Sequence, residues 1–195
     1  VVSNAAALGA ATIYNTNETF AAKNANNARI DFYGAVTAAN EIRLGSETPL
    51  NNGPRVVSYG QTVLSGPMSV WNSFLRVGND TSTLTLGGDI TCLGGSYFVL
   101  QDASDYYGVR IFVTGRFLNL PTLWPDGNGT GVKLMSSGQE ITFPVATQGG
   151  TIVFGTDNVF SDAVVVGRDA SWGRRGYLDL NGTSQTFGNC NEVAY

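Results

Sequence analysis

Short hydrophobic runs of three to five residues recur along this chain, each closed by a corner rich in Gly, Asn or Asp. Runs that short, bounded by residues that tolerate positive φ, predict strands and sharp corners, with no long helices. The predicted strands are Thr12–Tyr14, Arg29–Tyr33, Glu41–Leu44, Arg55–Tyr59, Thr62–Leu64, Ser69–Val70, Phe74–Val77 and Thr83–Leu86. They continue through Tyr97–Gln101, Val109–Val113, Val132–Met135, Glu140–Phe143, Thr151–Phe154, Ala163–Val166 and Tyr177–Leu180. The one helix-friendly stretch, Ala21–Ala28, holds three Asn residues and is too short to stand alone.

The pattern repeats internally. Leu84-Thr85-Leu86-Gly87-Gly88 aligns with Leu178-Asp179-Leu180-Asn181-Gly182, and the upstream runs Phe74–Gly78 and Ala163–Gly167 both end in Val-Gly. In an L-x-L strand the two leucines face one way and the middle residue the other. The leucines are expected to fill a lumen, with Thr85 and Asp179 outside. Strand, corner, strand, corner at a fixed repeat is the layout of one coil of a β-solenoid. The stretch 118–131 breaks the rhythm: Pro121 and Pro125 cannot donate to a central ladder, so a loop leaving the rod is expected there.

The segment from Gly150 to Cys190 carries a resemblance. Ile152-Val153-Phe154-Gly155-Thr156-Asp157-Asn158-Val159-Phe160, then a valine-rich run, then Leu178-Asp179-Leu180-Asn181-Gly182-Thr183-Ser184-Gln185-Thr186 resembles the autotransporter-associated β-strand repeat. That repeat belongs to passenger segments of secreted bacterial surface proteins. It covers roughly the last quarter of the chain well and the middle more loosely. It implies export and a right-handed parallel β-helix, the hand that the general crossover rule also favours. The expected architecture is thus all-β, one domain over 1–195, a right-handed parallel β-helix of about eight or nine short coils. The opening, VVSNAAALGAATIY, has no basic n-region, which suits a mature or excised segment of a larger secreted protein.

Composition agrees with an extracellular all-β module. Charged residues make up 13%, and Gly reaches 25 residues, as stacked strands prefer because like charges one strand spacing apart repel. The net charge of −4 and the lack of a basic stripe exclude nucleic acid as a natural partner. No window is long and apolar enough for a membrane-spanning helix. Between Cys92 and Cys190 lie some four or five coils, about 20 Å along the axis, whereas a disulfide needs Cα atoms within about 7 Å. Two small buried hydrophobes are expected, with an intermolecular link through Cys190 as the alternative.

The chemistry available is narrow. There is no histidine, which removes Ser-His-Asp and Cys-His catalysis and histidine-bearing zinc sites. Neither a phosphate-binding loop nor a dinucleotide fingerprint is present. What remains is Asp102, Asp105 and Arg110, the set a catalytic reading would use. Some β-helix polysaccharide lyases hold Ca²⁺ on acidic side chains and use an arginine as base. Otherwise no cofactor and no metal are expected. A second group, Arg174 and Arg175 beside Trp172, suits grip on an acidic sugar or partner chain. With Tyr106, Tyr107 and Trp124, whose amphipathic rings suit sugar or subunit contacts, these are the expected ligand- or partner-contact residues. Asn17, Asn79, Asn128 and Asn181 open N-x-Thr sequons that are also ordinary turn sequences.

Three functions are compatible with the pattern. The first is a structural, non-catalytic segment of an extracellular, surface-displayed or filament-forming protein, a stalk, adhesin or matrix element. Its partners would be other copies, adjoining segments of the same chain, or glycans. The second is a β-helix lyase or hydrolase acting on an acidic glycan. The third is a phage or viral fibre segment, which would be an obligate trimer.

Overall fold

A computed structural model describes residues 1–4, 8–17, 29–46, 55–102, 108–126, 130–144, 150–161, 164–169 and 176–193. In chain order the strands are β1 (Ile13–Asn17), β2 (Arg29–Ala38), β3 (Ile42–Ser46), β4 (Arg55–Leu64), β5 (Met68–Val77) and β6 (Thr83–Leu86). There follow β7 (Ile90–Asp102), β8 (Gly108–Val113), β9 (Phe117–Leu118), β10 (Leu120–Asp126) and β11 (Thr130–Leu134). The last are β12 (Ile141–Pro144), β13 (Thr151–Phe154), β14 (Val164–Asp169), β15 (Tyr177–Asp179) and β16 (Phe187–Val193). The protein is an all-β parallel solenoid.

Each coil contributes to columns of strands that stack in parallel. One column runs β1, β3, the start of β5, the start of β7 and β9. A second runs through the first half of β2 and β4, the ends of β5 and β7, then β10 and β12. The third is the longest: the second half of β2 and β4, then β6, β8, β11, β13 and β15. Stacked partners are 20 residues apart from Val132 to Ile152 and 27 apart from Leu84 to Ile111, so coils differ in length at their corners. β14 and β16 pair with each other as a separate parallel ribbon.

Alternation decides what lies inside. Along β6, and along β5 on either side of a phase shift at Asn72–Ser73 where both are buried, every second side chain is buried, as a strand with one face on a core must be. The lumen is filled by Phe32, Ile42, Leu64, Met68, Leu75, Ile90, Phe117 and their stacked neighbours, all essentially without exposure. Each such side chain contributes about 1.5–3 kcal/mol by leaving water. An edge contact between Phe98 and Phe117 (5.7 Å) ties neighbouring coils together, and one between Phe154 and Phe160 (5.8 Å) packs the lumen within one coil.

Two expectations are corrected. Within the stretch 118–131, expected to leave the rod as a loop, residues 120–126 are instead strand β10, paired with β7 on one side and β12 on the other. Leu120 and Leu123 are fully buried there, and Pro125 lies opposite Leu100. A proline forfeits one ladder bond worth about 1 kcal/mol, less than the burial of two leucines returns. The two L-x-L copies also differ. Leu84 and Leu86 are fully buried, whereas Leu178 is half-buried and Leu180 is 47% exposed. Among the described residues β15 pairs on one side only, with β13, so no further coil covers those leucines.

At one corner a side chain takes over the work of the ladder. Val113 stacks on Leu134 and Leu120 on Ile141, the same seven positions apart in both coils. Within that corner buried Gln139 acts through its side chain: its Oε1 accepts from Phe117 N at 2.7 Å and its Nε2 donates to Gly115 O at 3.0 Å. A parallel-strand residue opposite Arg116 would use those same two backbone groups. Gln185 repeats the device, accepting from Val159 N at 2.9 Å and donating to Thr156 O at 2.7 Å.

Candidate functional site

The Asp102–Arg110 pair is built by the end of β7 and the start of β8. Arg110 Nε lies 2.8 Å from Asp102 Oδ2, with side chains 8% and 1% exposed. Arg110 Nη1 donates to the Asn79 carbonyl at 3.1 Å and lies 3.7 Å from Asp80 Oδ1. The Asp102 amide donates to Thr130 Oγ1 at 3.0 Å, and that hydroxyl donates to Asp126 O at 2.6 Å. The pair therefore ties three successive coils. The grouping of these two residues expected from the sequence is present. However, Asp102 is buried, not set in a solvated corner, and its charge faces Arg110.

Trp124 lies half-buried on β10, opposite Val99. Asp105, Tyr106, Tyr107, Trp172, Arg174 and Arg175 lie outside the described residues. Among the described residues no group of three or more His, Cys, Asp or Glu side chains converges as for a metal ion. Cys92 is a free thiol, half-buried, whose S–H donates to Gly94 O at 3.3 Å. Cys190 sits on β16, opposite Val166, its side chain outside the described set.

A second built constellation, on the outer face of β2 and β4, lies outside the residues expected from the sequence. Tyr33 and Tyr59 are stacked partners on β2 and β4, their rings 4.8 Å apart and 13° from parallel. Arg29 lies with its guanidinium carbon 6.0 Å from the Tyr59 ring centroid. It pairs with Asp31 through both oxygens, Nε to Oδ1 at 2.6 Å and Nη2 to Oδ2 at 2.7 Å. Hydrogen bonding to Asp31 is the main cause that raises the Arg29 pKa above its ordinary value. The glycines after each tyrosine permit the stack: a Cβ on Gly60 would come within 2.1 Å of Gly34 O. The signal was legible as R-x-x-x-Y-G at Arg29–Gly34 and again at Arg55–Gly60, in one register.

A related grouping lies on the first column. Arg43 sits 5.4 Å from the Tyr14 ring centroid and its Nε donates to Glu41 Oε1 at 2.7 Å. That bond leads the causes that lower the Glu41 pKa and raise that of Arg43. Further along, Asp89 holds Arg116; hydrogen bonding from the guanidinium holds the Asp89 carboxyl below its ordinary range.

No protein-family model matches the chain, and no curated protein or solved structure matches it. Among the described residues no helix is long and apolar enough to cross a membrane.

Proposed function

We propose that this chain is a structural, non-catalytic segment of an extracellular, surface-displayed or filament-forming protein, acting as stalk, adhesin or matrix element. The observation that carries the reading is the unbroken parallel stack of the third column, from β2 through β4, β6, β8, β11 and β13 to β15, around an apolar lumen. Such a stack is stiff along its axis and leaves the corners for contact chemistry. Burial and mutual neutralisation of Asp102 and Arg110 support a cross-coil tie over a role at a substrate. In this role the rod winds right-handed in about eight or nine coils and is exported in the way the autotransporter-repeat resemblance implies. Its partners are other copies, adjoining segments of its own chain, or glycans.

Electron microscopy of the purified segment, with its mass in solution, tests the proposal. Uniform rods or filaments are expected, without cleavage of acidic polysaccharides in the presence of Ca²⁺. Calcium-dependent cleavage that disappears in Arg110→Lys, with folding intact, would overturn it in favour of a lyase. An obligate trimer would favour a fibre segment instead.

A further inference from the structure

We infer that Asn79 is an acceptor site for N-linked glycosylation, taking its sugar from a phosphate-activated donor. The inference rests on the reading of the chain as an extracellular rod, since N-x-Thr acceptors belong to surface loops of secreted proteins.

Asn79, Asp80 and Thr81 lie in the corner between β5 and β6, and all three are exposed. Oδ1 of Asn79 accepts from Thr81 N at 3.1 Å, from Thr81 Oγ1 at 3.1 Å and from Ser82 Oγ at 2.6 Å. Three donors converging on one atom identify it as the amide oxygen, and Ser82 is fully buried, so the oxygen faces the fold. The Nδ2 side of the planar amide points the other way, and among the described residues nothing accepts from it. The backbone beneath is fixed as well: the Asn79 carbonyl accepts from Arg110 Nη1 at 3.1 Å and from Ser82 N at 3.3 Å. A sugar on Nδ2 therefore displaces no hydrogen bond of the corner that carries it.

The other sequons differ. Thr130, which completes the sequon at Asn128, is fully buried; its hydroxyl donates to Asp126 O at 2.6 Å and accepts from Asp102 N at 3.0 Å. A transferase that reads the sequon hydroxyl cannot reach it in the folded rod. Nδ2 of Asn181 donates to Phe154 O at 3.2 Å, a tie to the coil before. Asn17 lies in β1 opposite Ser46, and Thr19 is outside the described residues. The step at Asn79 is a substitution at the anomeric carbon of the donor. The Nδ2–C1 bond forms as the bond from C1 to the phosphate oxygen breaks; Nδ2 gives up one proton, and the phosphate leaves with the electron pair. Lipid-linked and nucleotide-linked sugars share that chemistry.

Two arms test this and separate the donors. In one, the whole chain behind a secretory signal is translated into microsomes that supply lipid-linked sugar. In the other, the purified rod is incubated with a soluble asparagine glycosyltransferase and a nucleotide sugar. Glycopeptide mass spectrometry reads the added sugar at each sequon, and the arm that modifies Asn79 names the donor. Modification at Asn79 is expected, lost in Asn79→Gln and Thr81→Ala, kept in Thr81→Ser, and absent at Asn128 in the purified rod. Thr81→Ala keeps the bonds from the backbone amide and from Ser82 to Asn79 Oδ1, and circular dichroism checks its fold. Thr81→Ser keeps the test informative if that variant does not fold. Modified and bare rods should share one urea midpoint. A bare Asn79 in both arms overturns the site but not the rod, which the microscopy tests separately. Modification confined to chains that fail to form rods overturns it too, because the folded corner would then be closed to the sugar. Modification of Asn128 in the purified rod overturns the sorting of sequons by burial.

Discussion

Replacing Arg110 with methionine should cost more than any other single polar substitution among the described residues. The change removes the cation 2.8 Å from Asp102, a carboxylate whose side chain is 1% exposed. Breaking a buried ion pair from one side costs about 3–5 kcal/mol, because the orphaned charge keeps its desolvation penalty. The lost bond to the Asn79 carbonyl adds about 1 kcal/mol. In urea, at a slope of about 2 kcal/mol/M, the combined loss lowers the unfolding midpoint by about 2–3 M. The double variant Arg110→Met with Asp102→Leu should recover most of this, since two apolar groups carry no unpaired charge. The assay is urea unfolding followed by far-ultraviolet circular dichroism for both single variants and the double. A coupling energy near zero, with the double variant as unstable as the two single losses added, would refute the reasoning. So would a single-variant loss below about 1 kcal/mol, which is the size of an exposed pair.

Three further outcomes follow from other contacts. Gln139→Ala strips the Phe117 amide of its acceptor in a fully buried corner and should lower stability by about 2–4 kcal/mol in the same assay, with Gln139→Glu unable to restore the donated bonds. Leu84→Ala should cost about 2–5 kcal/mol while Leu180→Ala stays within about 1 kcal/mol, because the first is sealed in the lumen and the second is half in water; equal losses would contradict the burial described. The carboxyl of Asp89 should titrate below its ordinary 3.8, and Arg116→Gln should return it toward that value by carbon NMR. A depressed folded value means the pair's small contribution is present above pH 3.8 and lost as the pH falls through the folded midpoint, so a midpoint at or above 3.8 would remove it.

How much of this was readable from the chain depends on what kind of interaction each feature needs. Strands such as Phe74–Val77 and Thr83–Leu86 were legible because a half-buried strand must alternate. β10 was not, because local proline chemistry at Pro121 and Pro125 argued for a loop, and only the burial of Leu120 and Leu123 between two neighbouring strands outweighs it. β16 was missed for a similar reason: its run Phe187–Val193 is broken by two asparagines and, among the described residues, pairs only with β14. At the candidate sites, Asp102 and Arg110 could be grouped from sequence proximity, but their burial depends on coils above and below. The Tyr33–Tyr59 stack needed a comparison across 26 positions, Arg29 with Arg55 and Tyr33 with Tyr59. Short motifs report chemistry within one coil; stacking chemistry is written at the coil period.

The glutamine at the corner between β11 and β12 has a consequence for how such a rod can change. From Val113 to Leu120 and from Leu134 to Ile141 the chain takes the same seven steps, so Ile141 lands over Leu120 because the two coils are equally long there. The Gln139 amide serves another end: it occupies the Phe117 amide and the Gly115 carbonyl, so the backbone can turn out of the sheet without leaving those buried groups bare. A residue inserted between Leu134 and Ile141 would carry every later face out of phase, as a slipped tooth throws a gear train. The glutamine seals the corner; the coil length keeps the time.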